Sequence, residues 1–188
     1  MELCKEALEG LKRTDQQRAF HDVYVGHCAH VFGDVKASDH SEILIQAPRQ
    51  TGKSESIAMF AAAMAKACPQ LKICIYTACV QASIHMLNEV ERFMELVGVS
   101  IRIVDDNEVH CEGGGVVSSY YARPWTTKGM DSDLIIMDDM ASIERDFFYD
   151  TVAPVLVAQN TTLICISTPG SDANLFTRMC RHPAFNVA

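Results

Sequence analysis

The chain lacks any stretch apolar enough to cross a bilayer. Its longest apolar run, Ile57 to Ala65, falls well short of the roughly 20 residues a membrane helix needs. No secretory leader is legible at the start, where Glu2, Lys5, Glu6 and Glu9 break up the apolar residues. A soluble, intracellular protein without membrane attachment is therefore expected. None of the eight cysteines stands in a CxxC pair, so neither a redox motif nor a paired zinc spacing is present. Cys68, Cys74, Cys79 and Cys165 lie in apolar segments and read as small buried hydrophobes in a reducing compartment. The group His27-Cys28-Ala29-His30, with His21 nearby, has no second ligand pair and is not read as a metal site. Basic residues are outnumbered, 16 Lys and Arg against 24 Asp and Glu, for a net charge of −8. That argues against a domain gripping DNA tightly over its whole surface, because such binding neutralises many phosphates, but charge alone does not decide it, and transient contact stays open. Internal repeats and low-complexity linkers are also absent, so residues 1–188 are expected to form a single domain.

What is present is a core. Hydrophobic residues make up 48% and charged residues 21% of the chain, the balance of a globular domain. A helix is expected over 15–32, capped by Asp15, within an N-terminal helical segment 1–40. The run Ile43 to Ile45 reads as a buried strand, followed by a loop and an Ala/Met-rich helix from Lys53 to Cys68 that Pro69 ends. Ile73 to Thr77 is a second strand, and 80–97 an amphipathic helix stopped by Gly98. Weaker strands follow at 100–104, 108–111 and 116–120. Leu134 to Met137 is a short apolar strand, 144–157 a helix that Pro154 should kink, Leu163 to Ile166 a strand, and 173–180 a last helix. Apolar strands alternating with helices predict a three-layer α/β fold with a mostly parallel central sheet flanked by helices. In such folds ligands sit at the carboxyl ends of the strands.

Three motifs fall at those ends. Ala47-Pro48-Arg49-Gln50-Thr51-Gly52-Lys53-Ser54 fits a phosphate-loop pattern, with Ala47 in place of the first glycine, between a strand and a helix. Loop N–H groups and the helix N-terminus form a positive concavity for phosphate oxygens. Gly52 lets the backbone turn close to them, Lys53 supplies charge to the β- and γ-phosphates, and Ser54 can ligate Mg²⁺. Arg49 has the forked geometry to hold γ-phosphate oxygens. The ligands implied are ATP and Mg²⁺. At the second strand end, Asp138 is assigned to the metal and Asp139 to activating the attacking water. A glutamate is expected at that position, and an aspartate falls short of its reach by about 1.5 Å, enough to matter for catalytic geometry. Glu144 is a weaker candidate base. At the third, Ser167 and Thr168 are placed to sense the γ-phosphate. Gln17 offers a paired donor and acceptor matching the edge of adenine. The loop Tyr120 to Lys128 mixes aromatic and basic residues that suit nucleic acid or a neighbouring subunit.

Together these motifs resemble the ATPase domain of terminase large subunits, the packaging motors of tailed phages and herpesviruses, over roughly Leu11 to Met179. Arg49 to Ser54 resembles that family's arginine-bearing phosphate loop, and Gly129 to Ala141 its basic-Gly segment running into the acidic strand. Ser167-Thr168-Pro169 resembles its coupling motif and Gln17-Arg18 its adenine-binding motif. The spacing and tail are more similar to the herpesvirus type. The resemblance implies a P-loop NTPase fold of the water-activating (ASCE) branch and ATP-driven translocation of double-stranded DNA into a procapsid. It also implies a ring of like subunits working at a portal with other terminase subunits, in the host nucleus if herpesvirus-like and the host cytoplasm if phage. Two residues depart from the family pattern: Asp139 replaces a glutamate, and Lys128 an arginine. The family's nuclease domain is absent from these 188 residues. The first lobe of a helicase, or a non-catalytic nucleotide-binding module, remains the alternative.

Overall fold

A computed structural model describes residues 1–29, 42–123, 131–159, 161–170, 174–183 and 185–188. Eight strands among them form one sheet: β1 (Glu42–Gln46), β2 (Lys72–Thr77), β3 (Ile101–Val104), β4 (Glu108–Cys111), β5 (Val116–Tyr121), β6 (Leu134–Asp138), β7 (Thr162–Ser167) and β8 (Asn186–Val187). Their order is β3-β4-β5-β2-β6-β7-β1-β8. From β5 to β8 every pairing is parallel, while β3 and β4 fold back as an antiparallel edge hairpin. The helices are α1 (Glu2–Glu9), α2 (Asp15–Cys28), α3 (Lys53–Ala67), α4 (Val80–Val97), α5 (Arg145–Phe147), α6 (Ala153–Gln159) and α7 (Leu175–Arg181).

Strand side chains alternate between faces, and the central strands are apolar on both. Ile43, Ile45, Ile73, Ile75, Leu134, Ile136, Ile164 and Ile166 join one core with residues of α1 to α4. Leu44, Cys74, Tyr76, Ile135, Met137, Leu163 and Cys165 join the other with Phe147, Phe148, Val152, Phe176 and Met179. Helix α3 is buried all round from Ser56 to Ala65, because the sheet covers one side and α1, α2 and α4 pack on the rest. That explains an Ala/Met-rich sequence with no polar face.

Several boundaries differ from the sequence reading. Helix α2 is capped by Thr14 rather than Asp15, since Thr14 and Gln17 exchange side chain to backbone hydrogen bonds, and this reciprocal pairing satisfies two end donors at once. It closes at Cys28, and residues 30–41 lie outside the described set. The helix expected over 144–157 is three pieces, α5, a wider π turn at Phe148–Val152, and α6. Pro154 has no N–H to give an α-helical bond, and the wider turn precedes it. The last helix starts at Leu175, with Asn174 accepting from the Thr177 N–H. Helix α1 falls inside the helical segment expected over 1–40, without bounds of its own there, whereas strand β8 at the sheet edge was not expected. Cys74 and Cys165 are buried as expected, but Cys79 is exposed and Cys68 only partly covered. Cys79 lies beyond the buried run of β2, at the N-cap of α4. No helix among the described residues is long and apolar enough to cross a membrane.

Candidate active site

Parallel pairing puts the carboxyl ends of β1, β2, β6 and β7 along one edge of the sheet. In register, Gln46 stands beside Ser167 and Ile166 beside Asp138. The segments leaving these strands therefore converge. They line a cleft of about 720 Å³ that includes Arg49, Gln50, Lys53, Ser54, Asp138, Asp139 and Thr168.

The segment from Ala47 to Gly52 turns tightly between β1 and α3. Gln50 and Gly52 both adopt left-handed backbone, at φ 61° and 74°, and Thr51 Oγ1 donates to the Pro48 carbonyl at 3.0 Å. Gly52 is the N-cap of α3, so the unpaired N–H groups of that helix end begin at the cleft. Lys53 Nζ donates to the Pro48 carbonyl at 2.6 Å, to Ala47 at 3.4 Å and to Thr168 Oγ1 at 2.9 Å. It thus ties the β1 loop to the end of β7. Burial lowers its pKa, opposed by the charges of Asp138 and Asp139. Arg49 is exposed on the cleft wall.

Asp138 is 6% exposed. Its Oδ2 accepts from Ser54 Oγ at 2.6 Å, whereas its buried Oδ1 has no protein partner among the described residues. Burial raises its pKa, offset by the Ser54 hydrogen bond. Asp139 lies at φ 52°, outside the strand. Its Oδ1 accepts from Ser167 Oγ at 3.2 Å and its Oδ2 from Ser142 Oγ at 2.8 Å. The two acids at the tip of β6 therefore sit differently: one is sunk against Ser54, the other held at the cleft by hydroxyls. Left-handed non-glycine backbone is costly and collects at functional sites. Both such residues among those described, Gln50 and Asp139, line this cleft.

The structure thus brings together Arg49, Gln50, Lys53, Ser54, Asp138, Asp139 and Thr168, with Pro48, Thr51, Gly52 and Ser167 supporting them. Gln17 stands apart. It is 2% exposed, behind Gly52, with its amide paired to Thr14 and Glu55. Glu144 is exposed at the N-cap of α5 and does not line the cleft. The basic-Gly pair Lys128 and Gly129, with most of the aromatic-basic loop, lies outside the described residues. Sequence reasoning missed Ser142, whose only signal is its place three residues after Asp139, and the exposed Cys79 on the cleft wall.

No family model and no curated protein matches the sequence. Solved structures do. The ATPase domain of the large terminase of Thermus phage P74-26, in a mutant form, superposes with a TM-score of 0.73 at 19% identity, covering 96% of this chain and 82% of that one. The HK97 bacteriophage large terminase gives 0.68 at 16% identity, covering 89% of this chain but 36% of its own. A large terminase from a thermophilic bacteriophage, in complex with ATP-gamma-S, gives 0.60 at 12% identity, covering 84% of this chain and 38% of its own. The chain has the fold of large-terminase ATPase domains, a P-loop type α/β architecture with a mostly parallel sheet between helical layers.

Proposed function

We propose that this chain is the ATPase motor domain of a viral terminase large subunit, hydrolysing ATP to drive double-stranded DNA into a procapsid. The observation that carries the reading is the meeting of Lys53 and Ser54 with Asp138 and Asp139 in one cleft, Ser54 Oγ lying 2.6 Å from Asp138. The likeness to terminases, one of them solved with ATP-gamma-S, supports it.

In this reading the N–H groups of Gln50 to Ser54 cradle the phosphates. Lys53 exchanges its loop carbonyls for phosphate oxygens, and Arg49 forks onto the γ-phosphate. The partnerless Oδ1 of Asp138, with Ser54 Oγ, supplies the hard oxygen donors that suit Mg²⁺. Ser54 and Asp138 would hold such an ion, and the chemistry it would supply there is neutralisation of charge developing on the phosphates. Asp139 orients the attacking water and accepts its proton. Thr168, on Lys53, and Ser167, on Asp139, are placed to feel loss of the γ-phosphate. DNA contact is transient, in keeping with the net charge of −8. The working state is a ring of copies engaged with a portal and other terminase subunits, in the host nucleus or cytoplasm according to virus type.

Purified chain is expected to bind Mg·ATP and turn it over slowly. Lys53→Ala abolishes binding, and Asp139→Asn retains binding while turnover falls at least a hundredfold, the usual scale for losing a positioned general base. A folded wild-type protein that bound no ATP analogue with Mg²⁺ would defeat the reading.

A further inference from the structure

Asp139 is one methylene short of the glutamate expected at its place, a shortfall in reach of about 1.5 Å. No other acid in the cleft makes it up. Among the described residues lining the cleft the carboxylates are Asp138 and Asp139, and Asp138 is sunk against Ser54. Three of the cleft's hydroxyls are engaged elsewhere. Ser54 donates to Asp138, Thr77 donates to the Cys79 carbonyl at 3.1 Å, and Thr168 accepts from Lys53. Ser142 is different. It is exposed, it lines the same cleft, and its Oγ donates to Asp139 Oδ2 at 2.8 Å.

The chain builds this contact locally. Asp139 is the N-cap of a 3₁₀ turn, Met140–Ser142, and three residues per turn stack the side chains at i and i+3. The Ser142 N–H closes the turn on the Asp139 carbonyl at 2.9 Å. Met140 is buried, and the Ala141 N–H donates to Ser167 Oγ at 3.0 Å. The turn is thus anchored to the core and to β7, and Ser142 is held on the carboxylate. A hydroxyl has one proton to give and two lone pairs to accept with. Ser142 gives its proton to Asp139, which leaves it able to accept one from the cleft.

From this we infer that Ser142 carries the reach of Asp139 to the attacking water. The inference rests on the ATPase reading above and deepens it, with Asp139 still the base. The water oxygen bonds to the γ-phosphorus as the bond from that phosphorus to the bridging oxygen of ADP breaks. The water proton passes to Ser142 Oγ, and the Ser142 proton passes to Asp139 Oδ2. The serine ends as it began, and the proton rests on the aspartate. One hydrogen bond of 2.8 Å more than spans the missing methylene.

Steady-state turnover of Mg·ATP by the full chain, with calorimetric titration of Mg·ATP-gamma-S, tests it. Ser142→Ala should lower kcat about tenfold, the scale of one hydrogen bond to a charged group, while affinity holds. Ser142→Thr keeps the hydroxyl and should bring kcat back to within about threefold of wild type. Asp139→Glu supplies the methylene, so adding Ser142→Ala to it should cost less than about threefold, the two changes being coupled. A serine that only caps its turn would cost the same beside either acid. Unchanged kcat in Ser142→Ala, an equal loss of affinity, no recovery in Ser142→Thr, or the full penalty in the Asp139→Glu background overturns the proposal. Should Asp139→Glu fail to fold, the alanine and threonine variants decide the matter, because Ser142 is exposed. Wild-type chain that binds no nucleotide, or binds it without turnover, overturns the ATPase reading itself.

Discussion

Asp139 sits one residue past a buried strand, in left-handed backbone, with each carboxylate oxygen held by a hydroxyl. Those contacts fix its direction, which suits the role of orienting water proposed for it. Ser167 is one of the two hydroxyls that hold it. It is fully buried, donates to Asp139, and accepts the Ala141 N–H at 3.0 Å. Ser167→Ala should destabilise the fold by about 1–3 kcal/mol, the scale of a buried donor left unmade, measured by urea denaturation. Turnover should fall further while ATP affinity holds, since Lys53 and the β1 loop are untouched. The sequence marked Ser167 as a strand-end hydroxyl and suggested phosphate sensing. Its contact with Asp139 could not be read there, because β6 and β7 become neighbours only in the sheet.

The loop between β1 and α3 was legible almost residue by residue, because a glycine, a lysine and a hydroxyl at fixed offsets are a local pattern set between a strand and a helix. Helix starts were less legible. Thr14 and Asp15 are both good caps by composition, and only the reciprocal bond with Gln17 separates them. Thr14→Ala should therefore cost about 1 kcal/mol, read as a lower urea midpoint at unchanged slope, whereas Thr14→Ser should cost little. Helix α1 has no bounds of its own in the sequence reading, only a place in the helical segment over 1–40, although Cys4, Ala7 and Leu8 carry helical spacing. Two turns with so few apolar residues are stabilised by packing against α3, not by their own propensity.

Across the molecule, the helical layer and the site share one seam. His21 is 1% exposed, its Nε2 meets the Ser56 carbonyl, and its Nδ1 lies 3.3 Å from Arg13. Burial lowers its pKa from 6.5 to about 4. The folded state thus favours neutral imidazole, while the unfolded chain takes up a proton below its ordinary pKa. His21 therefore contributes stability that is fully present above about pH 6.5 and is lost as pH falls toward 4, a total of roughly 3 kcal/mol. Thermal unfolding between pH 7 and 4 should show this loss, and His21→Gln, which can still donate to Ser56, should flatten it. Equal pH profiles for both proteins would refute the assignment.

By itself the sequence determined the alternation of apolar strands with helices, and with it a parallel sheet and the three polar strand ends, since periodicity and short motifs are local properties of the chain. Tertiary structure alone decided which strands adjoin, and so which end groups meet: Lys53 with Thr168, Ser54 with Asp138, Ser167 with Asp139. It also decided that Gln17 lies behind Gly52 rather than on the cleft wall. Partners this far apart along the chain are chosen by strand order and helix packing, which depend on burying both faces of the sheet at once and leave no mark on any short stretch of residues.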